Sequence, residues 1–283
     1  MFATASILMR IRHLGDALPP TARRIAIYIA EHAEEVIRMS ITEVAEQTDA
    51  SEGSIVGLCR RLGTSGFQEL KILLSRDLVE PMRMIHEDLR PTDTVADVAE
   101  HVFAAHIASL QETQKLLAQK MLTRAVEIVR SAKRVEVYGI GSAAPIAQDL
   151  GYRLLQLGHD AKAVTDSHIQ AVSAAMADSG TAVVTVSHSG STRETVLATE
   201  LAKQAGARTI GITRMGKSPL ARHCDVVLHT IANETRYRPE AMSSRVAQLA
   251  IIDTLVSCCA LADAKRSIAR LQLSARVLAA KRF

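Results

Sequence analysis

The sequence predicts two domains, an all-α domain followed by an α/β domain whose parallel sheet is flanked by helices. Helical periodicity with capping residues fills the first third of the chain, and strand-like runs alternate with helical runs from residue 134 onward. The stretch 81–94, which contains two prolines, separates these patterns. With 283 residues the chain exceeds a typical domain of about 150, so each part can bury a core. We expect a first domain at 1–80, a linker at 81–104 and a second domain at 105–283.

The all-α prediction begins at Pro19-Pro20-Thr21, which opens a helical pattern with one apolar face. That face consists of Ala22, Ile25, Ala26, Ile29 and Ala33. Next comes Ser40-Ile41-Thr42-Glu43, a capping box in which Ser40 caps a helix and Glu43 reaches back to its backbone. We expect this short helix to direct Ile41, Val44 and Ala45 inward.

A tight turn at Asp49-Ala50 leads to Ser51, which caps a further helix that extends to about Leu62. Its inward positions, by helical spacing, are Ile55, Leu58, Cys59 and Leu62. The outside or flanks receive Glu52, Ser54, Val56, Gly57, Arg60 and Arg61. Two short helices joined by a tight turn, the second with exposed polar residues, match a helix-turn-helix. The alternative is a plain three-helix bundle.

Charge does not decide between these alternatives. Residues 1–80 hold nine Lys/Arg against eleven Asp/Glu, a formal balance of −2. Contact with DNA phosphates would therefore depend on local clusters. The candidates are Arg60 with Arg61, Lys71, and Arg23 with Arg24.

The second domain is predicted from five strand-like runs separated by helical ones. The runs are 134–140, 161–164, 182–186, 208–213 and 225–230. Helical patterns fill 95–131, 146–157 and 193–205, and Ser218-Pro219 looks like the cap and first position of another helix. In such sheets, ligands bind beyond the carboxyl ends of the strands.

The turn after the first strand reads Gly139-Ile140-Gly141-Ser142-Ala143-Ala144. It fits the G-x-G-x-x-A pattern of dinucleotide-binding folds, which also needs an acidic residue about 20 residues on, at the end of the next strand. Asp160 precedes that strand and Asp166 follows it, so Asp166 could serve. This motif alone leaves a dinucleotide and a small phosphorylated ligand open.

The turn after the third strand, from Ser187 to Thr192, is the most informative segment. It holds four hydroxyls and Gly190 between a buried strand and a helix. Unpaired amides at a helix N-terminus favour an anion, and short hydroxyl side chains add donors without filling the space. The segment predicts a phosphate site; the alternative is an ordinary helix cap with additional serines. Because both turns lie at carboxyl ends of strands, we expect them to face one pocket.

Residues 105–283 resemble a sugar isomerase (SIS) domain, a phosphosugar-binding module. The resemblance rests on the two turns, on Ser218-Pro219-Leu220 and on Ser244-Arg245. It implies that Ser187, Ser189 and Thr192, with Gly190, hold a phosphate. It also implies that Ser142, beside Gly141, contacts the sugar.

Residues 1–80 resemble the DNA-binding domain of RpiR-type bacterial regulators, which couple a helix-turn-helix to an SIS domain in this order. The matching segments are Ser51-x-x-Ser54-Ile55, Arg60-Arg61-Leu62-Gly63 and Gly66-Phe67-Gln68-Glu69-Leu70-Lys71. The resemblance implies DNA contacts from Ser51, Glu52, Ser54, Gly57, Arg60, Arg61 and Lys71. One position departs from the family, since Gly57 stands where an arginine is usual. Gly53 and Gly57 should each cost about 1 kcal/mol of helix propensity. One interpretation is close approach of the helix backbone to the DNA groove or to a neighbouring helix; the other, which we favour, is altered base preference.

We therefore expect a transcriptional regulator of carbohydrate metabolism genes and not an enzyme. Its expected partners are a double-stranded DNA operator, a phosphorylated sugar or sugar acid, and further copies of itself in a homodimer or homotetramer. No cofactor is expected. The alternative is a phosphosugar isomerase, whose base beside the C1–C2 carbons would have to be Glu234, Glu240 or His168.

The remaining features indicate a cytoplasmic protein. Cys59, Cys224, Cys258 and Cys259 lack C-x-x-C spacing, which favours a reducing compartment. No histidine spacing predicts a metal site. The apolar run 246–262 contains Asp253 and is short for a membrane span, so we expect a buried or interface helix. The basic tail from Lys265 onward should form a solvated helix face.

Overall fold

A computed structural model of the chain describes residues 7–14, 18–78, 92–232 and 243–281. Backbone contacts divide it into two units, the first made mainly of residues up to Ala105 and the second mainly of residues from His106 onward. Residues 81–91 of the predicted linker lie outside the described residues, and its predicted end at residue 104 falls within a long helix, α7 (Val95–Leu116). The domain boundaries remain a prediction.

Six helices precede α7 in the part of the first unit that the structure describes. They are α1 (Ile7–Leu14), α2 (Pro20–Glu31), α3 (Ala33–Val36), α4 (Ile41–Gln47), α5 (Glu52–Arg61) and α6 (Phe67–Asp77). Every apolar position predicted to point inward is buried in one cluster, including Ile25, Ile29, Val44, Ile55 and Leu58. The all-α prediction is confirmed.

The second unit contains a five-stranded parallel sheet with strand order β2-β1-β3-β4-β5. The strands are β1 (Arg134–Tyr138), β2 (Ala161–Val164), β3 (Thr181–Val186), β4 (Arg208–Arg214) and β5 (Val226–Thr230). The helices after α7 are α8 (Gln119–Ser131), α9 (Ala144–Gln156), α10 (Ser167–Ala175), α11 (Arg193–Gln204), α12 (Ser243–Ala262) and α13 (Ala264–Ala279). This confirms the predicted parallel sheet flanked by helices.

Two apolar clusters cover the two faces of the sheet. On one face, α8, α9 and α12 pack over residues such as Val135, Val184 and Ile210. On the other face, α10 and α11 pack over Tyr138 and Val183. The strands are buried on both sides, which explains why they read as continuous apolar runs.

Helix α12 carries the most apolar stretch of the sequence. Among the described residues it is the one helix whose length and composition would allow it to cross a membrane. Its inward face lies in the core of the second unit, formed by Ala247, Ile251, Ile252, Leu255 and Cys259.

One predicted helix was wrong. Ser218-Pro219 does not open an α-helix; a single 3₁₀ turn, Leu220–His223, follows it. Few residues remain between this turn and β5. One of them, Asp225, is bound to β4, because its carboxylate accepts a hydrogen bond from the Thr209 amide at 2.8 Å. The chain has room for one turn only.

A buried carboxylate, Glu136, lies in the middle of β1 and is fully shielded from solvent. It accepts hydrogen bonds from Tyr138 and Ser173, each at 2.8 Å. Arg134 and Lys162 each place a nitrogen 3.2 Å from its Oε1. Burial opposes ionisation, but the two hydroxyl donors and the charge of Lys162 outweigh it and lower the pKa of Glu136.

This network predicts a specific dependence of stability on pH. Because the folded pKa of Glu136 is lowered, its carboxylate stabilises the fold above its ordinary pKa of 4.5, and this stabilisation is lost as pH falls through the folded value. Glu136→Gln should cost on the order of 1–3 kcal/mol at neutral pH. The variant should also lose less stability than the native chain between about pH 5 and pH 3. Urea unfolding across this range measures both effects, and parallel pH curves for the two proteins would contradict the assignment.

Candidate ligand-binding site and nucleic-acid interface

The two predicted ligand turns leave the same edge of the sheet from adjacent strands. Strands β1 and β3 are parallel neighbours in which Tyr138 pairs with Thr185, so residues 139–144 and 187–192 follow side by side. The first turn contains a single 3₁₀ turn, Gly141–Ala143, and runs into α9. The second runs into α11. Two helix N-termini therefore start at one edge.

Glycines shape both turns. Gly141 and Gly190 each have a φ of +60°, in the left-handed region that favours glycine. Gly139 meets a different constraint, because a Cβ there would lie 2.6 Å from the carbonyl oxygen of Ala143. The backbone path of each turn thus depends on its glycines.

The hydroxyl groups in these turns are largely available to a ligand. Among the described residues, no hydrogen-bond partner is seen for the hydroxyls of Ser142, Ser187 or Thr192. Ser187 is buried, whereas Ser142 is exposed. The Oγ of Ser189 accepts a hydrogen bond from the Ser191 amide at 3.2 Å, and the Ser191 hydroxyl donates to the Ser189 carbonyl at 3.1 Å.

Helix α11 begins without a side-chain cap. Thr192 occupies the cap position, but its hydroxyl makes no hydrogen bond to the first amides of the helix. This argues against the alternative of an ordinary capped helix with additional serines. An anion placed here would meet the unpaired amides and the positive end of the helix dipole.

Strand β4 holds the hydroxyl turn in place. The Ser187 amide donates to the Ile212 carbonyl at 3.0 Å. The His188 carbonyl accepts from the Thr213 hydroxyl at 3.1 Å and from the Arg214 amide at 3.0 Å. Backbone bonds to the sheet therefore fix the loop without using the hydroxyls of Ser187 or Thr192.

Asp166, the acidic residue that a dinucleotide site would need, serves here as a helix cap. The carboxylate of Asp166 caps α10, accepting hydrogen bonds from the His168 and Ile169 amides at 2.9 and 3.0 Å. One oxygen of this carboxylate is thus engaged by its own helix. His168 is exposed in the first turn of α10. Glu234 and Glu240, the other candidate bases, lie outside the described residues, and the described residues contain no group of His, Cys, Asp or Glu suited to a metal.

In the first unit, the α4–α5 pair has the predicted caps. Ser40 and Glu43 form the capping box of α4, and Ser51 caps α5 by accepting from the Ser54 amide at 3.1 Å. The turn between them contains Asp49, with a φ of +44°. The Arg24 guanidinium donates to the carbonyls of Thr48 and Asp49, both at 2.7 Å, and so holds this turn.

The outer face of α5 is open where DNA contact was predicted. Ser51, Gly57, Arg60 and Arg61 are exposed. Glu52 and Ser54 are half-buried, and Glu52 accepts a hydrogen bond from the Thr42 hydroxyl at 2.6 Å. A Cβ at Gly57 would meet nothing within 4 Å, so close packing against a neighbouring helix does not explain this glycine.

Lys71 requires a correction. It is 5% exposed, its ammonium donates to the Met39 carbonyl at 3.0 Å, and it lies 5.4 Å from the centre of the Phe67 ring. It holds α6 to the chain before α4 and is not presented to DNA. The spacing of Phe67, Leu70 and Leu74 already pointed inward at this position, and that periodicity was the signal that sequence reasoning missed.

Comparisons with known proteins identify two family domains in the chain. Residues 5–81 match the helix-turn-helix domain of the rpiR family, and residues 128–258 match the SIS domain. An HTH-type transcriptional regulator of Caldanaerobacter subterraneus is 34% identical over 249 residues, covering 88% of each chain. The chain belongs to the rpiR family of transcriptional regulators. Both resemblances predicted from the sequence are confirmed.

Three further proteins are similar to this chain. YbbH of Bacillus subtilis, another HTH-type regulator, is 34% identical over 87% of each chain. The structure of Vibrio vulnificus NanR in complex with ManNAc-6P has a TM-score of 0.81 at 28% identity, over 98% of this chain and 100% of that one. The bifunctional protein glk of Burkholderia thailandensis is 32% identical, but this rpiR-family chain spans only 39% of its length.

The correction at Lys71 predicts a stability effect. Lys71→Ala removes the hydrogen bond to Met39 and the packing of the side-chain stem, so it should lower the free energy of unfolding by about 1–3 kcal/mol. Arg61→Ala, at an exposed position on α5, should change it by less than about 0.5 kcal/mol. Thermal and urea unfolding of the full chain test this pair. Equal stability of the two variants would contradict the stabilising role assigned to Lys71.

Proposed function

We propose that this rpiR-family regulator controls carbohydrate metabolism genes in response to a phosphorylated sugar or sugar acid bound between the turns 139–144 and 187–192. The uncapped start of α11 carries the proposal, because it lies beside hydroxyls that lack partners among the described residues. The resemblance to the NanR complex with ManNAc-6P supports the same ligand class.

The phosphate is assigned to the second turn. Ser187, Ser189 and Thr192 would donate hydrogen bonds to a dianion at the positive end of α11, and the left-handed Gly190 would bring the backbone amides close. The sugar is assigned to the first turn, where Ser142 is exposed and no side chain projects from Gly141. A neutral sugar, which carries no phosphate, would make only the contacts of the first turn.

The operator is assigned to the outer face of α5. Arg60 and Arg61 would supply positive charge at its carboxyl end, and Ser51 and Ser54 would supply hydroxyl donors at its start. The bare backbone at Gly57 allows the helix to approach a base pair that an arginine would otherwise contact. Loss of that side chain removes a preference for guanine, so readout at this position differs from the rest of the family.

Regulation requires the sugar phosphate to favour one arrangement of paired DNA-binding domains over another. We therefore infer a homodimer or homotetramer acting on an inverted-repeat operator, in the cytoplasm. An isomerase would instead need a base beside the reacting carbons. It would leave the helix-turn-helix without a role, and the regulator is therefore the better-supported function.

The phosphate assignment predicts a loss of effector affinity. The double variant Ser187→Ala with Ser189→Ala should weaken binding of ManNAc-6P, or of the tightest binder among a panel of sugar phosphates, by roughly a hundredfold, because two charge-assisted hydrogen bonds disappear. Ser191→Ala is the matched control, since that hydroxyl already donates to the Ser189 carbonyl. Isothermal titration calorimetry measures the affinities. Unchanged affinity of the double variant, or no binding by the native chain to any phosphosugar, would refute the assignment.

The operator assignment predicts a change in salt dependence. Arg60→Ala with Arg61→Ala should weaken DNA binding and reduce the slope of log affinity against log salt by about 2, one for each lost phosphate contact. Arg76→Ala is the control, because Arg76 is an exposed cation on a different helix, α6. Mobility-shift titrations at several salt concentrations measure the slope. A slope that falls equally in the control would place the interface elsewhere.

A further inference from the structure

Helix α8 borders a cleft of about 910 Å³ on the surface of the second unit, a volume within the range of about 300–1,000 Å³ that is typical of ligand sites. Four residues of its lining are cations: Lys120, Arg124 and Arg130 on α8, and Arg208 at the first position of β4. Among the described residues that line the cleft, Glu127 is the one with a carboxylate. The lining therefore has a formal charge of +3, from four cations and one carboxylate.

The charges lie together because the opposite side of α8 is taken by the core. Ala125, Val126, Ile128 and Val129 of α8 are buried in the apolar cluster that covers one face of the sheet. Residues three and four apart on a helix share a face, so the exposed Lys120, Arg124, Glu127 and Arg130 follow one another along the solvent side. The amphipathic pattern of α8 thus brings three like charges to one surface.

The four cations differ in how they are held. In the part of the chain that the structure describes, the side chains of Lys120 and Arg124 have no ion pair or hydrogen bond. Arg130 donates from Nη2 to the carbonyl of the last residue of α12 at 3.2 Å. The Nε of Arg208 lies 3.5 Å from Oδ2 of Asp225. Because a guanidinium has five N–H donors, each of these two anchored arginines keeps donors for a ligand.

We propose that this surface, the α8 cleft, binds an organic polyphosphate, with a nucleoside triphosphate as the test case. Cations held close together repel one another, and a multivalent anion removes that repulsion when it binds. Lys120 and Arg130 are ten residues apart, about 15 Å along the helix axis, which is too far for a single phosphate group to contact both. Several linked phosphates can reach both ends. The planar guanidinium groups suit them, since each can pair with two phosphate oxygens.

The remaining lining suits the organic part of such a ligand. A bare phosphate chain would fill only part of the cleft. The carboxylate of Glu127 repels phosphate but accepts hydrogen bonds from sugar hydroxyls or an amino group. Thr123 adds a hydroxyl for which the described residues provide no partner. Duplex DNA is the other source of several phosphates, but its stiffness over about 50 nm keeps it from bending into a cleft of this size.

The α8 cleft is separate from the proposed effector site. It shares no residue with the turns 139–144 and 187–192. Those turns leave the carboxyl ends of β1 and β3, whereas Arg208 lies at the amino end of β4. The polyphosphate site therefore does not rest on the proposed function.

Isothermal titration calorimetry of the full chain with ATP, tripolyphosphate and inorganic phosphate, at low ionic strength and without added metal, tests the proposal. The native chain should bind ATP and tripolyphosphate at one site per chain, and inorganic phosphate at least about tenfold more weakly. Lys120→Gln with Arg124→Gln should weaken ATP binding at least about tenfold, because two charge-assisted hydrogen bonds are lost while the side-chain length is kept. Circular dichroism verifies that the variant is folded.

Two control variants separate this site from general charge and from the effector site. Arg276→Gln with Lys281→Gln changes the net charge equally, at exposed cations that do not line the cleft, and should leave ATP binding within about threefold of the native value. Ser187→Ala with Ser189→Ala should also leave ATP binding unchanged. In return, the cleft variant should bind ManNAc-6P like the native chain, so failure of either hypothesis is seen independently of the other.

Glu127→Gln gives a second readout, of opposite sign. Removing the negative charge from the lining should tighten tripolyphosphate binding by about two- to fivefold, since that charge repels the ligand. Glu100→Gln, at an exposed position on α7 outside the cleft, should have no such effect.

Four outcomes would overturn the proposal. The first is a native chain that binds neither ATP nor tripolyphosphate at millimolar concentration. The second is an equal loss of ATP affinity in the Arg276 and Lys281 control, and the third is a loss confined to the Ser187 and Ser189 variant. The fourth is a cleft variant with unchanged ATP binding and weaker binding of a random-sequence duplex, which would make these cations a DNA surface.

Discussion

The candidate site depends on the parallel pairing of β1 with β3. The two strands are far apart in sequence, yet their register aligns Tyr138 with Thr185 and so brings two turns to one edge. Each turn then enters a helix whose first amides point back toward that edge. A slip of one residue in this register would turn the strand side chains to the opposite face and separate the glycines from the hydroxyls. The apolar clusters on both faces of the sheet hold the register in place.

Local patterns predicted most of the secondary structure because the strands are buried on both faces. Continuous runs such as 182–186 have few other interpretations, and the observed β3 begins only one residue earlier. Helix α10 was not predicted, since its polar residues Gln170 and Ser173 face the interior while Ile169 and Val172 are exposed, the reverse of the periodicity that marks a surface helix. The Ser218-Pro219 prediction was wrong because a cap and a proline indicate where a helix can begin, and the space before β5 decides whether it continues.

The residue types of the ligand turns were evident from the sequence, but the hydrogen bonds that their side chains make were not. Whether Thr192 caps α11 depends on a side-chain rotamer that no motif specifies, and the structure shows that it does not cap. The basic residues of the first unit show the same limit. Arg24 and Lys71 read as candidate phosphate contacts, yet one holds the turn at Asp49 and the other is buried beside Phe67. The sequence does not show which basic side chains are already held by hydrogen bonds within the domain.

The open space at Gly57 separates the outer face of α5 from the packing that holds the domain together. A side chain added there meets no neighbour within 4 Å, while Ile55 and Leu58 on the opposite side keep their packing. A codon change at this one position can thus alter the outer face of α5 without a steric clash. After gene duplication, two copies can therefore come to differ at residue 57 while the packing of the domain stays the same.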